Sequence, residues 1–413
     1  MSNSIRTSLA IWLVALLIAG TTFRVFANEP QLDERTYNQI MAALSLAEED
    51  QIPEAIESLQ TLADRLENRA FPHAVVLQQL AAFQINEERY EVGLNNLRRA
   101  LAYTDELPDR LTASIRYMTA QVLLIDEHFE QSLEQLQQWR LVAEQPLKPH
   151  GIFLIAYVHF QLEQFAETAQ NLELIIDLPD REDRWVELLF YSYLQDGQQE
   201  QAKRVLVEAL EIDPGNQNWW KYLSNILLQQ EEYGSGLAGL SYARQIDNLS
   251  KPEQLEVTRL YAYLEAPEKA SRDFEQQLAQ DAVDGDIDNI IMLGTFWAMA
   301  REHEQAERVL LQAAELTELS QPLRLLGQIH LNRLEFEKAQ TVLTEALNRA
   351  TPEEYAQLHY FTGIAAYNNE QLDQAEQSFR IAAEDEDYSD RAESWLERVA
   401  NERIQITPPS ASD

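Results

Sequence analysis

The fold of this chain is decided by the stretch LGTFWAMAREHEQAERVLLQAAELTELSQPLRLLGQIHLNRLEFEKAQTVLTEA, residues 293–346. A Leu-Gly pair at 293 and 294 returns at 326 and 327, and an alanine, leucine and alanine beginning at Ala306 return from Ala339. In each copy the leucine and the later alanine follow at four and seven residues, so the three side chains share one helical face. The stretch therefore predicts a repeated pair of helices, in which a glycine on the first lets the second approach closely.

The same apolar pattern surrounds ten small residues spaced 33 to 39 residues apart. We predict that the second helix of each of ten units packs through its small residue. Eight of these residues are alanine or glycine, and a serine and a threonine stand at the third and fourth units: Ala55, Gly93, Ser132, Thr168, Ala202, Gly236, Ala270, Ala306, Ala339 and Ala375.

The pattern resembles the tetratricopeptide repeat family, whose 34-residue unit carries Trp, Leu, Gly and Tyr early, Ala, Phe and Ala later, and Pro at its end. Two units carry the resemblance best, through Leu189, Tyr193, Ala202, Leu206, Ala209 and Pro214 and through Trp220, Leu223, Gly236, Leu240 and Ala243. The resemblance implies an all-α, right-handed superhelical α-solenoid of about ten helix pairs. Only 12 glycines and 14 prolines among 413 residues agree with a nearly all-helical chain.

The chain divides by composition into five segments. We predict a signal peptide at 1–27, a short linker at 28–33 and the repeat array at 34–388. A C-terminal capping helix at 389–403, with Trp395 and Val399 on its apolar face, and a disordered tail at 404–413 complete it. The apolar run of the first segment is short for a membrane span, but retention as an N-terminal anchor stays open as an alternative to cleavage.

The chain contains no cysteine, so it has no disulfide, no thiolate metal site and no acceptor for a lipid anchor after the signal. Together with the signal, this predicts a periplasmic protein held at membranes only by its partners.

The formal net charge is −37. Without residues 1–27, which hold Arg6, Arg24 and no acid, 30 basic residues face 69 acidic ones, a net charge of −39. Such a surface repels nucleic acid. Two interpretations stay open: the acids solvate the outer faces of a long array, or they attract a basic, extended partner.

No motif indicates catalysis, a cofactor or a metal, and we predict a protein that is not an enzyme. The glycines of Gly234-Ser235-Gly236 lack the Lys-Ser/Thr of a phosphate loop. The histidines lie in different repeats without metal-binding spacing, and for His159 and His330 a role in helix packing is favoured: His73, His128, His150, His159, His303, His330 and His359.

Aromatic residues concentrate in the fifth and sixth units. We assign Tyr193 and Trp220 to the core. Trp185, Tyr191 and Trp219 lie one or two positions off the apolar stripe, and we predict that they face a partner.

A narrower resemblance covers most of the chain and rests on four stretches. They are DERTYNQIMAALSLAEEDQIPEAIESL (33–59), HAVVLQQLAAFQINEERYEVGLNNLRRAL (73–101), NWWKYLSNILLQQEEYGSGLAGL (218–240) and EQLEVTRLYAYLEAPEKASRDFEQQL (253–278). They resemble the periplasmic tetratricopeptide component of TonB-dependent transport systems. The resemblance implies a scaffold that binds TonB-like or ExbB/ExbD-like proteins and serves outer-membrane uptake of iron chelates. An adaptor in envelope assembly or polysaccharide export is the alternative.

Overall fold

A computed structural model describes residues 30–406, and this part of the chain contains 21 α-helices, two short 3₁₀ helices and no strand. The expected all-α fold is confirmed. The predicted signal peptide at 1–27 and residues 407–413 of the predicted tail lie outside the described residues. Residues 404–406, which the sequence placed in the tail, belong instead to the last helix.

The first twenty helices form ten consecutive pairs. The first five pairs are α1 and α2 (Glu34–Glu48, Ile52–Leu66), α3 and α4 (Ala70–Asn86, Tyr90–Leu101), α5 and α6 (Asp109–Ile125, Phe129–Val142), α7 and α8 (Pro149–Gln161, Phe165–Leu172) and α9 and α10 (Asp183–Gln195, Gln199–Ile212). The next five are α11 and α12 (Gln217–Gln229, Tyr233–Ile246), α13 and α14 (Lys251–Tyr263, Pro267–Ala279), α15 and α16 (Ile287–Met299, His303–Leu316), α17 and α18 (Gln321–Asn332, Phe336–Asn348) and α19 and α20 (Tyr355–Asn368, Leu372–Ala382). The unpaired helix α21 (Ser389–Ile406) follows.

The chain divides between Ala209 and Leu210 into two compact units. A continuous core in the first unit joins helices α1 to α5, with Leu59, Leu77 and Leu97 fully buried. In the second unit a core around Phe274 and Leu310 extends over helices α12 to α17. Within each of these two cores, helix pairs bury their apolar faces against neighbouring pairs of the same compact unit.

Each of the ten small residues predicted from the sequence stands at the fourth position of a second helix, and all ten are buried. Three glycines on first helices lie opposite the residue that follows the small residue by four. A Cβ added to Gly294 would lie 2.7 Å from Leu310 Cδ2, and one added to Gly363 would lie 2.7 Å from Phe379 Cε1. The close approach of paired helices therefore depends on residues that lack bulk at these points.

The turn inside each helix pair is built the same way in all ten pairs. Five residues before each small residue, one residue adopts a left-handed backbone conformation with φ between 57° and 74°, and nine of the ten are not glycine. The next residue donates its backbone N–H back across the turn, as in Gln51 to the Leu46 carbonyl and Arg89 to the Gln84 carbonyl, both at 2.8 Å. This pattern is a Schellman motif, and it satisfies carbonyl groups that the end of the first helix leaves open.

Polar side chains join successive pairs by capping the ends of second helices. The Arg349 guanidinium donates to the carbonyl oxygens of Ala314 and Thr317, at 2.8 and 3.0 Å, at the end of α16. The Tyr103 hydroxyl donates to the Glu67 carbonyl, at 2.9 Å, at the end of α2. Because helix ends carry unpaired carbonyls, these bonds link neighbouring repeats without a disulfide.

Helix α21 covers the last pair. Ala392 and Val399 are buried with Phe379, and the Trp395 ring stacks on Phe379 with centroids 5.5 Å apart. The Arg398 guanidinium lies 4.8 Å from the centroid of Trp395 on that ring's face. Helix α21 therefore closes the apolar side of α20.

Candidate functional site

Trp185 and Trp219, which the sequence predicted to face a partner, are buried, with exposed fractions of 1% and 0%. Trp185 contacts two residues of α7, with ring centroids 6.4 Å from both His150 and Phe153. The prediction is wrong for these two tryptophans. Both belong to the apolar stripe of their helices, since buried residues follow Trp219 at four, seven and eight positions and Trp185 at three, four and eight.

The adjacent tryptophans on α11 differ in burial, because Trp219 is fully buried and Trp220 packs, partly buried, against the core. Trp220, which the sequence placed in the core, is half-buried, and its ring stacks on Tyr242 with centroids 5.0 Å apart and planes 13° apart. Its indole N–H donates to the Pro214 carbonyl at 2.9 Å. The partner-facing prediction for Tyr191, which is half-buried and has its ring centroid 4.8 Å from that of Phe190, stays a prediction.

Two exposed tyrosines were missed by the sequence reasoning. Tyr242 is 54% exposed, and Tyr263, which is 65% exposed, lies edge-on to Tyr233 at 4.7 Å between centroids. Tyr242 directly precedes the buried Ala243 of the repeat pattern, so its side chain leaves the helix on another face. The sequence signal that could have identified such a residue is an aromatic side chain at a position next to the apolar stripe of its helix.

A polar groove of about 1070 Å³ lies in the second unit between α18 and α20. We call it the amide groove. Thirteen residues line it, from α18, from α19, and from the turn and helix that follow: Glu337, Gln340, Thr341, Thr344, His359, Thr362, Asn368, Asn369, Glu370, Gln371, Gln374, Gln377 and Ser378. Its volume is slightly larger than the usual range for small-molecule sites, about 300–1,000 Å³.

Gln340 joins the two sides of the amide groove. Its Nε2 donates to the Oε1 atoms of Gln371, at 2.6 Å, and Gln374, at 2.7 Å. Its Oε1 accepts from the Asn369 Nδ2 at 2.7 Å. Both hydrogens of the Gln340 amide are used inside this network, so the network holds the facing side chains in place.

The inner wall of the groove carries two polar atoms that are buried and have no hydrogen-bond partner, His359 Nδ1 and Thr362 Oγ1. They lie three residues apart on α19, on adjacent turns of one face. Burial lowers the pKa of His359. Unpaired buried polar atoms are uncommon and are often found where a ligand or water binds.

No protein-family model matches the chain. It is similar to the tetratricopeptide repeat-containing protein trd-1 of Caenorhabditis elegans, with 25% identity over 281 residues that cover 67% of this chain and 35% of that protein. The chain therefore spans about a third of the length of this curated relative. Among solved structures it is similar to a tetratricopeptide repeat protein from Parabacteroides merdae, with a TM-score of 0.40, 12% identity, and coverage of 64% of this chain and 98% of that one. It is also similar to YrrB, a TPR protein with an unusual peptide-binding site, with a TM-score of 0.35, 19% identity, and coverage of 46% of this chain and 97% of that one.

The curated relative supports the tetratricopeptide repeat family for this chain.

Two histidines of these repeats, His159 and His330, form hydrogen bonds within their own helix pair. His330 is buried, with its Nδ1 2.8 Å from the Glu335 Oε2, and this hydrogen bond is the main reason that the pKa of Glu335 is lowered. His159 Nδ1 lies 2.6 Å from Gln164 Oε1. Over residues 30–406, no cluster of three or more His, Asp or Glu side chains is arranged to hold a metal ion.

Some charged residues of the repeats form ion pairs with residues of a neighbouring helix pair. Arg308 binds Glu275, at 2.7 Å, one repeat earlier, and Arg244 binds Asp273 at 2.9 Å. The chain has 69 acidic residues and 32 basic ones, so the carboxylates outnumber the lysine and arginine side chains about two to one. Within the described part of the chain, none of the helices combines the length and apolar character needed to cross a membrane.

Proposed function

We propose that this protein is a non-catalytic scaffold that binds other proteins in the periplasm, and that its partners are TonB-like or ExbB/ExbD-like proteins of outer-membrane nutrient uptake. The partner is bound through a basic, extended segment. The observation that carries the proposal is the acidic surplus, a net charge of −37, on an array of stacked helix pairs.

The reasoning is electrostatic. The repeats use apolar and small side chains to hold the fold together, so the surplus acids are not needed for packing. Opposite charge increases the rate of encounter and favours one class of partner over another. The resemblance to the periplasmic component of TonB-dependent systems supplies the class of partner, whose periplasmic linker is typically rich in proline and lysine.

Binding of two synthetic peptides tests the electrostatic part. The full chain is titrated with a 20-residue peptide of alternating lysine and proline, and with a matched peptide of glutamate and proline, in 50 mM and 500 mM salt. We expect binding of the lysine peptide alone, at least tenfold weaker in high salt, because salt screens exposed charges. Equal binding of both peptides, or binding that salt leaves unchanged, would contradict the proposal.

Partner identity and location need the native cell. Crosslinking in intact cells, followed by purification and mass spectrometry, should recover TonB-like or ExbB/ExbD-like proteins. A protease added to cells with a permeabilised outer membrane should digest the protein. Recovery of secretion or glycan-synthase subunits would replace this partner class with the export alternative, and protection from protease would contradict the periplasmic location.

A further inference from the structure

The amide groove contains hydrogen-bonding groups that its own network leaves available. Gln371 and Gln374 are engaged through Oε1 with Gln340, and the structure of residues 30–406 records no bond from either Nε2. The hydroxyls of Thr341 and Thr344 donate to carbonyls of their own helix, so their oxygens can still accept. The groove therefore offers amide donors on one side and hydroxyl acceptors on the other.

The charge of the lining is one-sided. Among its thirteen residues, Glu337 and Glu370 are acidic and exposed, and none is lysine or arginine. A ligand for this groove must bring positive charge to the carboxylates and acceptors to the amides. An extended peptide does both, because its carbonyls accept from amide N–H groups while lysine ammonium groups donate to carboxylates and hydroxyls.

We propose that the amide groove between α18 and α20 is the site that binds a lysine-containing peptide segment in extended conformation. This inference rests on the proposed function and locates it on the molecule. Thr362, nine-tenths buried with an unpaired hydroxyl, and His359 beside it supply polar atoms on the inner wall for a peptide group or a water that it holds.

A neutral sugar chain is the competing ligand for a wall of amides and hydroxyls. The thirteen lining residues include no tyrosine, tryptophan or phenylalanine, so the lining offers no such ring face for a sugar to cover. The two carboxylates also have no counterpart on a neutral sugar. Both features favour the basic peptide.

The test compares two triple variants that change charge and amide content equally. The groove variant is Glu337→Gln/Glu370→Gln/Gln374→Ala. The matched control, Glu304→Gln/Glu318→Gln/Gln312→Ala, makes the same changes at exposed positions on or after α16, outside the lining. Affinity for the 20-residue lysine and proline peptide is measured by fluorescence anisotropy, after circular dichroism has shown that both variants melt like the unsubstituted protein.

We expect the groove variant to bind the peptide at least tenfold more weakly and the control to lose less than twofold. Equal losses would overturn the site, while the proposed function would stand on general charge attraction. Absence of binding by the unsubstituted protein would overturn both. A neutral glucan heptasaccharide that displaces the peptide at similar concentration would also overturn the assignment to a basic peptide.

A second measurement places the ligand by crosslinking and does not rely on a change in affinity. A photoreactive benzoylphenylalanine is introduced at Gln377, which is exposed in the groove, or at Gln312, which lies outside it. Crosslinking of the lysine peptide from position 377 and not from 312 is expected. The reverse result would reject the groove.

Discussion

Gly327 on α17 and Leu343 on α18 are in such close contact that a Cβ on the glycine would lie 2.5 Å from both Cγ and Cδ2 of the leucine. The same relationship joins Gly294 to Leu310 one repeat earlier, at 2.7 Å from Leu310 Cδ2. These contacts set how closely the two helices of a pair approach.

Substituting Gly327→Ala should therefore destabilise the array. We expect the free energy of unfolding to fall by about 1–3 kcal/mol, because the new methyl group overpacks a filled contact and Leu343 cannot move away without displacing its own neighbours. Urea denaturation followed by circular dichroism measures the change. Gly234→Ala is the control, since nothing lies within 4 Å of its added Cβ. Equal stability of the two variants would show that the contact is not close in solution.

At a left-handed turn position, unlike at Gly327, we expect a substitution that stabilises the protein. Leu334 has φ 62° and is 71% exposed, so Leu334→Gly should raise the free energy of unfolding by about 0.5–1 kcal/mol by relieving backbone strain. Gly197 has φ 74° and no atom near an added Cβ, so Gly197→Ala should lower the free energy of unfolding by about 1 kcal/mol through backbone strain alone. Both are measured by urea denaturation. If Leu334→Gly destabilises and Gly197→Ala does not, these two positions are not left-handed in solution.

Trp395 should be the main anchor of α21. Trp395→Ala removes the stack on Phe379 and the edge contact with Tyr367, whose ring centroid is 5.2 Å away. We expect the free energy of unfolding to fall by about 2–3 kcal/mol. Replacing a fully buried tryptophan by alanine costs about 3–5 kcal/mol, and Trp395 is only half-buried. Trp395→Phe should keep part of the stack and lose less. Proteolysis within residues 389–406 should become faster in Trp395→Ala, and unchanged proteolysis would contradict an anchoring role.

His359 should make stability depend on pH. Because burial lowers its pKa in the folded protein, the unfolded chain binds a proton more readily near pH 6.5, the usual value. Its contribution to stability is therefore complete above pH 6.5 and is lost as the pH falls below it. Thermal melts between pH 7.5 and pH 5 should show a steeper loss for the unsubstituted protein than for His359→Gln. Parallel curves would mean that His359 titrates normally.

Much of the fold was accessible from the sequence because the repeat unit is short and local. The four- and seven-residue spacing around Ala306 and Ala339 predicts helix pairs from residues within two turns of each other. Copying that pattern ten times predicted the ten pairs that the structure contains, and it also predicted a final helix with Trp395 and Val399.

The aromatic surface was less accessible because burial depends on the phase of each helix. Adjacent residues differ by about 100° around a helix, so a rotation of the helix by that angle exchanges which of two neighbours is inside. On α11 the buried face contains Trp219 together with Leu223 and Ile226, so the packing of this stripe sets the phase. The family consensus selected Trp220 for the core, whereas Trp219 is the residue on the buried face.

The sequence by itself determined the helix pairs, the small contacts within them and the acidic surplus, because each depends on composition or on spacings of a few residues. Only the tertiary structure decided that residues from Glu337 to Ser378 line one groove. Those residues lie on three helices and a turn, and they meet because one repeat packs on the next. That packing depends on all the contacts between the two pairs together, which no single spacing in the sequence records.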